Sequence, residues 1–187
     1  MTSRSARESY RHGAVRAEAI AAAYAQVEAC GHELVSLRRV ADALGIVHRS
    51  LYNHFDDREA LLDAVAERGF IALAGLIATA RGRDDFVRLY LTFALENRRL
   101  HALMASRPRE RMAGKPTLQR AAQLCIDAAS RVFARPDRAD DANRRATLKG
   151  LMLLNGALAM HASGALEFAG DDDALIAELQ AMLAQGL

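Results

Sequence analysis

An all-α fold of about nine helices follows from three features of this 187-residue sequence. Alanine is abundant, while β-branched and aromatic residues are few in a chain that is 51% hydrophobic, a composition that favours helices over strands. Only three prolines occur, at positions 108, 116 and 136, so the first 107 residues run without a helix breaker of that kind. Apolar residues recur at helical spacing in one segment after another.

The elements follow in order. Residues 1–10 are polar and are expected to be disordered. A first helix runs from about Arg11 to Cys30, with Gly31 just past its end. Ser36 is a natural N-cap, because its hydroxyl can accept a bond from an orphan amide of the first turn. Leu37, Val40, Ala41 and Leu44 then share one face, and Gly45 can end that helix in a left-handed conformation. A short helix from about Val47 to His54 comes next. Asp57 places negative charge at the start of a helix that reaches about Ala80, with Leu61, Leu62, Val65, Phe70, Leu73 and Ile77 apolar. Arg81-Gly82-Arg83 breaks it.

Asp84 and Asp85 open one continuous helix to about Met104, with Phe86, Leu89, Tyr90, Phe93, Leu100 and Met104 facing inward. Ser106–Pro116 is basic, bracketed by prolines and carries Gly114, so a mobile, solvated loop is expected. Helices from about Thr117 to Ala134, Asp141 to Ser163 and Asp171 to Gln185 complete the chain. The natural division is 1–56 and 57–187.

Several function classes are disfavoured. Cys30 and Cys125 stand alone, with no CxxC or Cys/His cluster, so neither a disulfide framework nor a metal site is indicated. The chain lacks HExxH, GxSxG, paired-carboxylate and phosphate-loop signatures, so no catalytic residue and no cofactor is expected. The N-terminus has no apolar core of a signal peptide, and the longest apolar runs fall short of the roughly 20 residues that span a bilayer. A cytoplasmic protein without a membrane partner is the expectation. Net charge is only +2, but its distribution is more telling. Arg4, Arg7, Arg11 and Arg16 face only Glu8 in the first sixteen residues, and Arg38, Arg39, His48, Arg49 and His54 cluster around one turn.

That turn joins two short helices, a helix-turn-helix whose second helix is the right size for a DNA major groove. The run SLRRVA, LGI, SLYNHF and DDREALL within 36–62, with Ala19–Val27 and Cys30-Gly31 upstream, resembles the N-terminal domain of the tetracycline-repressor (TetR) family of transcriptional regulators. The resemblance covers about residues 11–65, a third of the chain. Further on, YLTFALEN from Tyr90, LHALM from Leu100 and NGALA from Asn155 are similar to the WHG-type ligand-binding subtype of that family. There the later motif usually reads HG; this chain has Asn155-Gly156, so the histidine's role does not transfer.

The resemblance implies a homodimeric repressor released from a near-palindromic DNA operator by a small, largely apolar effector. Switching by a protein partner, with activation or repression as the output, is the alternative. His48 and Arg49 would enter the groove, with Asn53 beyond them; Arg49 suits guanine and Asn53 adenine. Arg38 would make a second base or phosphate contact, while Ser36, Ser50, Tyr52, His54 and Arg58 would position phosphates. Arg4, Arg7 and Arg11 form either a minor-groove arm or a solvated tail. Tyr90, Phe93, Met104, Cys125, Met152, Asn155 and His161 are candidates for an effector pocket, though each residue type in such a place is more often plain core. The helices at about 141–163 and 171–185 would pair in the dimer, with Gly150, Gly156, Ala157 and Ala159 allowing close approach.

Overall fold

The computed structural model describes residues 3–165 and 171–186. Among them all regular structure is helical: α1 (Ser3–Cys30), α2 (Leu37–Leu44), α3 (Arg58–Ile77), α4 (Arg83–Glu96), α5 (Arg98–Ala105), α6 (Arg109–Met112), α7 (Pro116–Phe133), α8 (Asp140–Ala162) and α9 (Asp172–Gly186), with 3-10 turns at His32–Leu34 and His48–Asn53. None of these helices is long and apolar enough to cross a membrane.

The chain forms two compact units. The first comprises Met1–Gly69 with Arg98–Leu118, and the second Phe70–Asn97 with Gln119–Leu187. A cut at 56/57 is therefore not where the contacts divide. The start of α3 and the segment 98–118 belong with the first unit, because cations of that segment bind carboxylates of α3.

In the first unit, Ala19, Ala23 and Val27 recur every fourth residue on the buried face of α1, with Val35, Leu37, Val40, Leu51, Leu61 and Val65 also in the core. The backbone of α1 is already helical at Ser3, where residues 1–10 were expected to be disordered; Arg7, Glu8 and Ala6 are compatible with helix, and nothing there breaks it. Met1 and Thr2 lie outside the described residues. The Glu28 carboxylate of α1 accepts the Leu100 amide (3.1 Å), and Arg99 Nη1 donates to the Glu28 carbonyl (2.7 Å), which fixes the start of α5 against the end of α1. Gly69 lets α3 and α5 approach: a Cβ there would lie 2.7 Å from Met104 Sδ.

In the second unit, α4 packs on α8 and α9. Phe86 meets Phe133 edge-on with ring centroids 5.4 Å apart, and Arg83 lies over the Phe133 ring at 5.6 Å while its Nη1 donates to the Leu183 carbonyl near the end of α9 (3.1 Å). The predicted single helix to Met104 is interrupted at Asn97 (φ −116, ψ 46). Its amide (3.0 Å) still makes the helical bond to the Phe93 carbonyl, and its Nδ2 (2.9 Å) donates to the same oxygen, folding the side chain back onto the end of α4.

Gly150 also has a task within the chain. A Cβ there would lie 2.7 to 2.9 Å from three atoms of the Phe133 ring, whereas one at Gly156 would meet nothing within 4 Å. Gly150→Ala is therefore expected to cost about 1–3 kcal/mol through overpacking, seen as a Tm lowered by roughly 2–10 °C in a melt followed by circular dichroism. Phe133→Leu in the same chain should recover part of that loss.

Candidate nucleic-acid interface

Helix α2, which leads into the turn, is fixed at both ends by hydrogen bonds of its flanking residues. Ser36 Oγ accepts from the Arg39 amide (3.2 Å) at the start of α2. At the end, Gly45 has φ 64, its amide donates to Asp42 O (3.2 Å), and Ile46 donates to Ala41 O (3.1 Å). This is the Schellman arrangement, for which a residue without Cβ is preferred.

Residues His48–Asn53 follow as a 3-10 turn rather than the expected α-helix. The segment is six residues long, and Val47 at its head supplies no side-chain cap. Leu51 is fully buried and Phe55 nearly so, while the Phe55 amide donates to Leu51 O (2.9 Å). Arg16 lies over the Phe55 ring at 5.5 Å. These anchors turn Val47, His48, Arg49, Tyr52 and Asn53 outward. Tyr52 is 50% exposed and meets the His48 ring edge-on at 5.1 Å, which restricts both. Arg38, on the exposed side of α2, and Arg49 make no hydrogen bond or ion pair among the described residues. Ser50 and His54 are half-buried. The side chains of Arg4, Arg7 and Arg11 lie outside those described.

Arg58 has a different place from the phosphate contact expected of it. Its Nε donates to Val35 O (2.8 Å), Nη2 to His32 O, and Nη1 to Glu59 Oε1 (2.5 Å). The guanidinium thus closes the 3-10 turn at His32–Leu34 onto the start of α3. Asp57 Oδ1 accepts from the Ala60 amide (2.7 Å) and caps that helix.

Nor is the segment 106–116 a free, solvated loop. It contains α6, and its cations reach back to α3. Arg107, with a side chain only 2% exposed, places Nη1 2.7 Å from Glu59 Oε2 and 3.2 Å from Asp63 Oδ1. Arg111 joins Glu59 at 3.0 Å, and Lys115 pairs with Asp63. The second Arg107–carboxylate approach is close enough for charge attraction but not aligned as a hydrogen bond, so Asp63 Oδ1 and Arg107 Nε have no hydrogen-bond partner among the described residues. Burial raises the Glu59 pKa, but the hydrogen bond from Arg107 and the charges of Arg107, Arg58 and Arg111 outweigh it, leaving the carboxyl below its ordinary range. Neither Arg107 nor Asp63 was legible as a pair, since the two lie 44 residues apart.

The seven pocket candidates do not form one lining. Met104 is in the first unit, beside Gly69. Met152 is 72% exposed, because it lies on a face of α8 that the chain itself leaves uncovered. Tyr90, Phe93 and Cys125 are buried in the second unit. Tyr90 Oη donates to Asn155 Oδ1 (3.1 Å), and burial pushes the phenol up to about 12 against the lowering effect of that bond. Cys125 Sγ donates to Phe70 O (3.3 Å), and burial pushes the thiol up to about 12. His161 meets Asp172 at 3.2 Å. Two clefts, of about 220 and 260 Å³, are lined by other residues: Asp63, Glu67 and Lys115 in the first, Arg138, Arg145 and Lys149 in the second.

Residues 19–65 match the family model for bacterial regulatory proteins of the tetR family. No curated protein sequence matches the chain. Among solved structures, a protein of unknown function from Rhodococcus sp. RHA1 is similar, at 27% identity over 91% of this chain and 94% of its own, with a TM-score of 0.73. The protein SCO4313, a proposed regulator, shares 18% identity over 95% and 98% of the two chains with a TM-score of 0.72. A TetR transcriptional regulator from Legionella pneumophila shares 17% over 90% and 94%, with a TM-score of 0.62. The last two show the same fold. The family match is to regulators and not to an enzyme.

Arg107→Ala should be destabilising, by roughly 1–3 kcal/mol, because Glu59 loses its hydrogen bond from the guanidinium and the buried Asp63 keeps only Lys115 as its counter-charge. Urea unfolding checks this. The lowered Glu59 pKa has a definite sign: its contribution is present above the unfolded-state value and is lost as pH falls through the lower folded-state value. Glu59→Gln should therefore flatten the loss of stability on acidification through and below the ordinary glutamate range.

Proposed function

We propose that this chain, whose residues 19–65 match the family model for bacterial regulatory proteins of the tetR family, is a sequence-specific transcriptional regulator, acting as a homodimeric repressor that a small, largely apolar effector releases from DNA. One observation carries the DNA-reading assignment: His48, Arg49, Tyr52 and Asn53 are exposed beside the buried Leu51 and Phe55, between the Gly45 end of α2 and the Asp57 cap of α3. Arg49 can grip guanine O6 and N7 bidentately, and Asn53 can pair with an adenine edge, each worth about 1–3 kcal/mol of discrimination. Arg38 is the second base or phosphate contact. Ser36, Ser50, Tyr52 and His54 position phosphates without reading sequence. Arg58 supports them indirectly, by holding the start of α3 to Val35 and His32.

Dimerisation is supported by the apolar residues that α8 and α9 leave uncovered. Leu148, Met152, Met160 and Met182 are all substantially exposed, and Gly156 faces open space. A second copy covering this surface would remove it from water. Two heads would then read a near-palindrome with half-sites one or more helical turns apart. Release requires an effector that favours a state in which the heads no longer match that spacing. Tyr90 and Cys125, with the exposed Asn155 accepting from the Tyr90 hydroxyl, remain the best candidates to sense it, since Tyr90 and Cys125 place polar groups in an apolar interior.

Selection of bound duplexes from random DNA, at fixed near-physiological salt, tests the reading directly; an enriched palindrome is expected, and an unenriched pool would reject it. On the selected site, Arg49→Ala should change the preferred base at one position per half-site while leaving Tm unaltered. A uniform loss across sequences would remove Arg49 from base reading. Met152→Asp should convert the dimer to monomer by light scattering, and should weaken binding to the full palindrome more than to a half-site.

A further inference from the structure

Val47 breaks the local rule for its position. It is the residue that precedes the His48–Asn53 turn, with extended backbone (φ −67, ψ 126), where Ser, Thr, Asp or Asn would cap the free amides. Valine forms no such cap. Nor is it there for packing: at 76% exposure it is the most exposed large apolar side chain among the described residues. It thus neither stabilises the turn by capping nor contributes to the core.

Its neighbours show what it faces. His48 and Arg49 follow directly and are exposed, Tyr52 and Asn53 share the outward side of the same turn, and Arg38 and Arg49 have no partner among the described residues. An apolar group set among donors and free guanidiniums suits a polyanion that also presents an apolar spot. The edges of base pairs in the major groove offer donors and acceptors everywhere, with one apolar feature, the C5-methyl of thymine.

We infer that Val47 is a specificity-determining residue that reads a thymine methyl group in each half-site. The inference rests on the DNA-reading assignment above. Contact between the valine methyls and the thymine methyl removes both from water, which a polar residue at this position cannot do. Arg49 and Asn53 then read hydrogen-bonding edges, and Val47 reads the methyl group.

The test uses the intact protein and the duplex enriched by selection, labelled for fluorescence anisotropy at fixed salt. Each thymine in turn is replaced by deoxyuridine, which keeps the hydrogen-bonding edge and lacks only the methyl. One thymine per half-site is expected to respond, with binding weakened about fourfold, the factor that corresponds to one buried methyl group at ~0.8 kcal/mol. Val47→Ser should abolish the difference between thymine and deoxyuridine at that position alone. Because serine restores the missing cap, this variant should melt no lower than the original, which separates recognition from folding. A selected duplex in which no thymine responds would overturn the inference while leaving the regulator reading intact. A response that persists unchanged in Val47→Ser would overturn it too. Failure to enrich any duplex would overturn both.

Discussion

A helical segment of six residues cannot hold its shape in water by its own hydrogen bonds, since nucleation fixes several dihedral angles for each first bond gained. Everything proposed for the reading surface therefore depends on Leu51 and Phe55. Their burial holds the His48–Asn53 turn against the rest of the first unit, and each is worth on the order of 1.5–3 kcal/mol of hydrophobic free energy. Capping acts at a second level. Ser36, the Gly45 turn and Asp57 each satisfy backbone groups that the short helices leave open. Such caps set where α2 ends and α3 begins, and hence where the exposed residues between them point.

The buried ion cluster imposes a different kind of constraint. Placing Arg107 and Asp63 out of water costs several kcal/mol per ion, which attraction repays only with good geometry. Here the geometry is mixed: Arg107 has a good bond to Glu59 but only a charge contact to Asp63, and its Nε is left without a partner. A net gain in stability over an apolar replacement is not expected from such a cluster. It does specify how the 107–115 segment lies on α3, because a shift of a few ångströms would strand two carboxylates. Arg58 imposes the same kind of constraint at the other side of Glu59, where its remaining nitrogens reach main-chain carbonyls of the first unit.

Local rules made much of this legible. The Ser36 cap, the left-handed Gly45 and the starts and ends of α7, α8 and α9 to within a residue or two were readable, because each depends on neighbours in sequence. The break at Asn97 is also local, but nothing in the apolar pattern signals it: Phe93 and Leu100 keep helical spacing across the interruption. Other features needed partners far along the chain. The role of Arg58 depends on carbonyls more than 20 residues away, and that of Arg107 on carboxylates 48 and 44 residues back. A basic loop looks solvated until its partners are known. Likewise, Gly150 looked like a residue for close contact between copies, and the ring it accommodates is Phe133 of its own chain.

Charge shows the same dependence on folding. Residues 1–60 contain eight arginines and eight acidic residues, a balance that by itself argues against a polyanionic partner. The fold assigns the two signs differently. Glu28 accepts the Leu100 amide, Asp57 caps α3, and Glu59 is held by Arg58, Arg107 and Arg111, so these carboxylates are engaged away from the reading turn. Some arginines are engaged too, Arg16 on Phe55 and Arg58 on the backbone. Arg38 and Arg49 are exposed and make no ion pair among the described residues. Screening in physiological salt confines interactions between exposed charges to about 8 Å. A DNA phosphate approaching the turn therefore senses the charges within that distance of it, those of Arg38 and Arg49 among them, rather than the net charge of the domain.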